Sequence, residues 1–238
     1  MSKGPLAVRW GAAPDLAPQA GAIVRARLEL ENAGSVEWRA GINIAYHWLD
    51  LRGNAIVWDG LRTAAPGLEP GAATAVDVPV RGPIPPGAYR LAFDVVAENR
   101  AWFSALGSPM LELDLEVAPR AGEPRAELPD GVEPTPGWEE HVQAAHADGY
   151  AVVAGSIDWH GGLFHPRPRA LAAYAPGSGR VPRFGAPLLC PSVLDGIELE
   201  RLADVAGLPA FAAPKDEPWI YDGRAVLRAR PRSGRRPT

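Results

Sequence analysis

Asn43 to Thr63, NIAYHWLDLRGNAIVWDGLRT, is the stretch whose reading decides the fold. Ile44, Tyr46 and Trp48 alternate with Ala45, His47 and Leu49, the period-two pattern of a strand whose side chains point to opposite faces. Arg52-Gly53-Asn54 supplies a tight turn, and Ala55 to Asp59 returns with Ile56 and Trp58 on a shared face. The segment is predicted to be a β-hairpin, and the chain up to Ala118 reads as strands that cover it.

On the N-terminal side, Leu6 to Trp10 forms a short opening strand and the Pro14 to Gly21 region a turn. Ile23 to Asn32 sets Val24, Ala26, Leu28 and Leu30 against Arg25, Arg27, Glu29 and Glu31, the signature of an antiparallel strand with one wet face. On the C-terminal side, Val76, Val78 and Val80 alternate with Asp77, Pro79 and Arg81, and the internal proline predicts an edge strand. Tyr89, Leu91, Phe93 and Val95 line one face of the next strand. Leu111, Leu113, Leu115 and Val117 line the last. Short strands with turns between them predict a sandwich over residues 1–118.

The central Trp48 strand, Tyr89 after a Pro-Gly turn, and the strand count together resemble an immunoglobulin-like β-sandwich, without its inter-sheet disulfide. NIAYHWLD, WDGLRT, PPGAYRLAFDVVAE and AWFS resemble an accessory sandwich domain appended to bacterial glycosyltransferases and surface-polysaccharide proteins. That resemblance implies a non-catalytic module with a glycan or a glycosyltransferase as partner.

The remainder reads differently. Residues 119–137, rich in Pro, Gly and acids, are expected to be a linker, and residues 138–223 a small mixed α/β domain. Within it, Trp138 to Ala147 has helical spacing at Trp138, Val142 and Ala145, and Tyr150 to Ile157 reads as a buried strand. Asp158 to Arg183 looks irregular, Ser192 reads as the N-cap of a helix reaching Ala206, and Trp219 to Arg230 as a hairpin about Asp222-Gly223. The stretch HADGYAVVAGSI resembles a helix-to-strand passage of family-2 glycosyltransferases, but their Asp-x-Asp metal motif occurs nowhere in the chain. Residues 224–238 form a basic strand and tail with six arginines, a candidate contact for phosphate, acidic lipid or RNA.

Composition bounds the function. The 238 residues are long enough for one large or two small cores, and 47% hydrophobic content is globular. A net charge of −4 argues against DNA binding over the whole surface. One cysteine, Cys190, excludes an internal disulfide and points to a reducing compartment. No apolar run approaches the roughly 20 residues of a membrane helix. The start of the chain lacks the apolar core of a signal peptide, so the expected location is cytoplasmic.

Two groups of candidate residues follow. Asp158 and His160 make an Asp-x-His after a strand, which resembles the opening of the calcineurin-like phosphoesterase metal site; Asp195 completes an alternative catalytic set for glycan metabolism. The companion ligand motifs of that family are missing, so neither metal nor cofactor is expected. His141 and His146 read as surface histidines and Cys190 as an inert buried thiol. No nucleophile elbow or phosphate loop is present. The second group is a predicted ligand surface of Trp58, Asp59, Glu98, Asn99, Trp102 and Phe103, where rings and carboxylates at loop ends suit a sugar. Packing between the two halves of the chain explains the same rings and is the favoured reading of them. The leading function is a glycan-associated binding module. The alternatives are an enzyme of glycan metabolism and a module that recruits a partner strand at a sandwich edge.

Overall fold

The computed structural model describes residues 5–177 and 179–230, which divide into two compact units, Met1–Pro119 and Arg120–Thr238. The protein is mainly β, as the alternating patterns predict. Among the described residues no helix is long and apolar enough to cross a membrane.

The first unit carries β1 (Val8–Trp10), β2 (Ile23–Asn32), β3 (Ile42–Leu49), β4 (Ala55–Val57), β5 (Thr63–Ala64), β6 (Ala73–Arg81), β7 (Gly87–Ala97), β8 (Ala101–Trp102) and β9 (Leu111–Val117). One sheet has the order β1-β2-β6, so β6 with Pro79 is an edge strand. The other runs β4-β3-β7-β8, with β5 on β3 and β9 on β7. The register places Ile44 opposite Val95, Tyr46 opposite Phe93 and Trp48 opposite Leu91. These side chains meet Ala26, Leu28, Val78 and Val80 of the first sheet in a single core. Two polar ties cross between the sheets: Trp48 Nε1–H donates to the Arg81 carbonyl at 2.8 Å, and the Arg81 backbone N–H donates to Tyr46 Oη at 2.9 Å. Tyr89 Oη donates to the Pro85 carbonyl at 2.9 Å, the bond of a tyrosine corner. The turn of the central hairpin is held by Asp50, whose carboxylate accepts from the N–H groups of Arg52 and Asn54.

The second unit adds β10 (Pro124–Ala126), β11 (Val132–Pro134), α1 (Trp138–Ala147), β12 (Val152–Trp159), a 3₁₀ helix (Arg169–Tyr174), β13 (Arg180–Val181), β14 (Leu188–Leu189), β15 (Ser192–Leu194), β16 (Ala210–Phe211) and β17 (Trp219–Ala229). Its main sheet has the order β10-β15-β12-β17-β11, with β13 on β17, and β14 pairs with β16 apart from it. Only β12 and β17 run parallel in it. Val142 and Ala145 of α1 cover Val153 and Ile220 on one face, while Leu171, Tyr174 and Leu189 cover Val152 and Ala154 on the other. Burial on both faces is why Tyr150 to Ile157 reads as an unbroken apolar run.

Three expectations for this half are corrected. The stretch expected to be a linker contributes β10 and β11 to the sheet. Ser192 opens a strand rather than capping a helix, because its neighbours Val193 and Leu194 are buried and pair with β10. Trp219 to Ala229 is one strand, not a hairpin. At Asp222-Gly223 the chain bulges: Gly155 faces Asp222, but Ser156 already faces Val226. The buried Asp222 carboxylate stabilises the excursion by accepting from the Arg224 backbone N–H at 3.0 Å and from the Arg224 and Arg180 guanidinium groups. Position 155 must be glycine, since a Cβ there would sit 2.0 Å from the Ala225 carbonyl oxygen. The arginine-rich tail beyond Arg230 lies outside the described residues.

Candidate functional site

The site grows from the face of β3 that turns away from the sandwich core. There Asn43, Ala45 and His47 stand beside Val96, Asp94 and Ala92 of β7. Ala45 and Ala92 are small enough for large rings to lie over the strands. Trp58, just past β4, stacks on His47 with ring centroids 4.1 Å apart and planes 19° from parallel. Trp102 of β8 meets His47 edge-on at 4.7 Å and Trp58 at 6.3 Å. The imidazole Nδ1–H of His47 donates to the Trp58 carbonyl, which fixes that ring nitrogen as a donor. Asp94 Oδ1 accepts from the Val95 N–H at 2.7 Å and the Ser104 N–H at 3.3 Å.

A charged rim surrounds the rings. Arg62 places its guanidinium carbon 5.1 Å from the Trp102 centroid, a cation–π distance, and pairs with Asp59 at 2.9 Å and Glu98 at 3.3 Å. Glu98 also accepts from Asn43 Nδ2 at 2.6 Å. Trp102 is thus enclosed between Arg62, His47 and Trp58. Trp58 rests one ring face on His47 and remains 52% exposed.

Of the predicted ligand surface, the structure brings Trp58, Asp59, Glu98 and Trp102 together. Phe103 leaves the set: just past the end of β8, it is fully buried against Trp38 at 5.5 Å. Asn99 occupies the turn after β7 with φ 58°. His47, Asp94, Arg62 and Asn43 are the members that sequence reasoning missed. The available signal was Asp94, a lone carboxylate inside the apolar run Leu91 to Ala97.

The other candidates disperse. His160 Nε2 and Asp158 Oδ2 are 2.9 Å apart on a half-exposed strand end, with Arg228 at 3.9 Å. Asp195 follows β15, whose register against β12 puts it beyond Val152, the opposite end from Asp158. At ~3.3 Å per residue the two positions are roughly 25 Å apart along β12, too far to share a reacting atom. Among the described residues no group of three or more His, Cys, Asp or Glu is placed to hold a metal. His146 is not on the surface: it is buried, donating from Nδ1 to the Tyr150 carbonyl at 2.7 Å and accepting at Nε2 from Ser192 Oγ at 2.9 Å. Burial lowers its pKa. The Ser192 hydroxyl is enclosed, so this Ser–His contact ties α1 to β15 rather than presenting a nucleophile. Burial pushes the Cys190 thiol up to about 12, so it stays protonated near neutral pH.

No family model and no curated protein matches the chain. Solved structures give distant likenesses. A β-glucuronidase from glycoside hydrolase family 2 is 12% identical with TM-score 0.31, over 48% of this chain and 11% of that one. A Salmonella alpha-2-macroglobulin mutant is 16% identical with TM-score 0.30, over 58% and 9%. The PapD-like domain 7 of human CEP192 is 18% identical with TM-score 0.26, over 49% and 88%. The chain therefore spans about a tenth of the length of the first two. Likenesses this remote assign neither a family nor an activity.

Proposed function

We propose that the first unit is a non-catalytic carbohydrate-binding module, an accessory of glycan assembly, with Trp58 as its platform. The observation that carries this reading is the outward ring face of Trp58, held flat by His47 and bordered by Asp59 and Arg62. An exposed indole face matches the apolar face of a pyranose, and the carboxylate and guanidinium beside it match ring hydroxyls. Asp59 and Glu98 outnumber Arg62, so neutral sugars are favoured over acidic ones. One platform on an open surface binds weakly, with Kd on the order of 1 mM, about −4 kcal/mol. The association with polysaccharide assembly comes from the sequence resemblance alone. The catalytic alternative has no support in geometry, since Asp158 and His160 stand apart from Asp195.

The test is a titration of the full chain with neutral and acidic oligosaccharides, followed by indole ¹H–¹⁵N resonances. The Trp58 resonance should move saturably with a neutral sugar and the effect should vanish in Trp58→Ala. Shifts that survive Trp58→Ala, or no shift with any sugar up to tens of millimolar, overturn the proposal.

A further inference from the structure

Among the described residues the three most exposed large apolar side chains are Leu163 at 99%, Phe164 at 92% and Phe184 at 87%; the next, Leu51, is 53% exposed. Leu163 and Phe164 are not on a frayed segment. The His165 N–H donates to the Gly162 carbonyl at 2.8 Å, closing a β-turn with Leu163 and Phe164 at its two central positions. Those positions ordinarily carry Gly, Asn, Asp, Ser or Pro. The turn is tight enough that a Cβ on Gly161 would fall 1.6 Å from the His165 carbonyl oxygen.

Both apolar segments are fastened to the same support. Arg167 donates to the Leu171 carbonyl at 2.6 Å, and Arg183 donates to the Ala173 carbonyl, each on the 3₁₀ helix Arg169–Tyr174. With a rise of ~2 Å per residue, these carbonyls are separated by only about 4 Å along that helix. Leu171 and Tyr174 bury its inner side, and Tyr174 Oη donates to the Pro187 carbonyl at 2.6 Å. Phe164 and Phe184 therefore project from two loops that flank one anchored helix. Charge adds a second, independent observation. From Trp159 to Leu194 the sequence contains no Asp or Glu, while it contains Arg167, Arg169, Arg180 and Arg183 with His160 and His165.

We propose that this tip of the second unit docks on an anionic lipid bilayer. Side chains that stand almost wholly clear of the protein need a medium that closes around them, which the fluid interface supplies without a preformed pocket. Arg180 is already paired with Asp148 and Asp222, and His160 with Asp158, so the cations these loops offer to headgroups are Arg167, Arg169 and Arg183, with no carboxylate on the loops themselves. This is peripheral, reversible attachment.

The full chain should co-sediment with vesicles of phosphatidylcholine containing one-third phosphatidylglycerol, weakly with phosphatidylcholine alone, and less at higher salt. The Leu163→Ser/Phe164→Ser protein should partition about tenfold less, and Phe184→Ser several-fold less. These side chains pack on no core, so the circular dichroism of both variants should match the parent. A third variant, Arg232→Ser/Arg235→Ser/Arg236→Ser, separates the arginine-rich end of the sequence from the tip and should retain the dependence on Leu163 and Phe164. The proposal fails if the parent ignores anionic vesicles, or if Leu163→Ser/Phe164→Ser binds as well as the parent. It fails equally if a single-stranded oligonucleotide is bound with the same dependence on Phe164, which would make the partner a nucleic acid.

Discussion

His47 Nε2 faces Asp94 Oδ2 at 4.0 Å, with both side chains fully buried and neither atom hydrogen-bonded to any described residue. His47 Nδ1–H donates to the Trp58 carbonyl and its ring carries the Trp58 indole. Removing the imidazole takes away that bond and that stacking surface and leaves a cavity beside the buried Asp94, a loss of about 2–5 kcal/mol. His47→Ala should accordingly lower the urea midpoint and release Trp58, seen as a red-shifted indole emission. A midpoint and spectrum equal to the parent's would show that His47 supports nothing.

Trp48 joins the two sheets by packing and by its bond to Arg81. Trp48→Ala should destabilise the first unit by about 3–5 kcal/mol, whereas Arg25→Ala on the wet face of β2 should stay within about 0.5 kcal/mol. Urea unfolding of the two proteins side by side checks the contrast.

Gly155→Ala drives a methyl into the Ala225 carbonyl, and backbone gives way less readily than a flexible side chain. The expected loss is about 1–3 kcal/mol, confined to the second unit. Amide exchange should accelerate along β12 and β17 and remain unchanged in β3 and β7.

His146 gives the second unit a pH dependence whose sign follows from burial. Its pKa is lowered in the folded protein, chiefly by desolvation. Below the ordinary histidine value of about 6.5 the unfolded chain binds a proton that the folded one refuses, so stability falls as pH drops through that value toward the folded one. His146→Gln, which can still donate to Tyr150 and accept from Ser192, should flatten this part of the profile. Identical slopes of unfolding midpoint against pH, between 7 and 5, would remove His146 as the cause.

The sandwich was legible because its strands are half-buried and antiparallel, so β2 and β9 write their orientation as strict alternation. In the second unit the signal is lost for physical reasons. β12 is enclosed on both faces, β15 has only three residues, and the parallel partner of β12, β17, lies beyond residues 160–218. The turn signal at Asp222-Gly223 was real but marks a bulge, because Asp222 satisfies the local backbone without reversing the strand. At the site, rings and carboxylates next to turns revealed Trp58, Asp59, Glu98 and Trp102. The supporting His47 and Asp94 depend on the β3–β7 register, which no local pattern encodes.

β17 pairs with β11, β12 and β13, so it is the strand on which the second sheet depends. During translation β12 leaves the ribosome long before Trp219 does, and the edge that β17 pairs stays uncovered until then. Until β17 arrives, that segment is a template for pairing with other nascent chains. The vulnerability of this protein in the cell is therefore concentrated in an interval of synthesis. Slower elongation between residues 160 and 218 would lengthen that interval, and a chaperone bound to residues 150–157 would shield it.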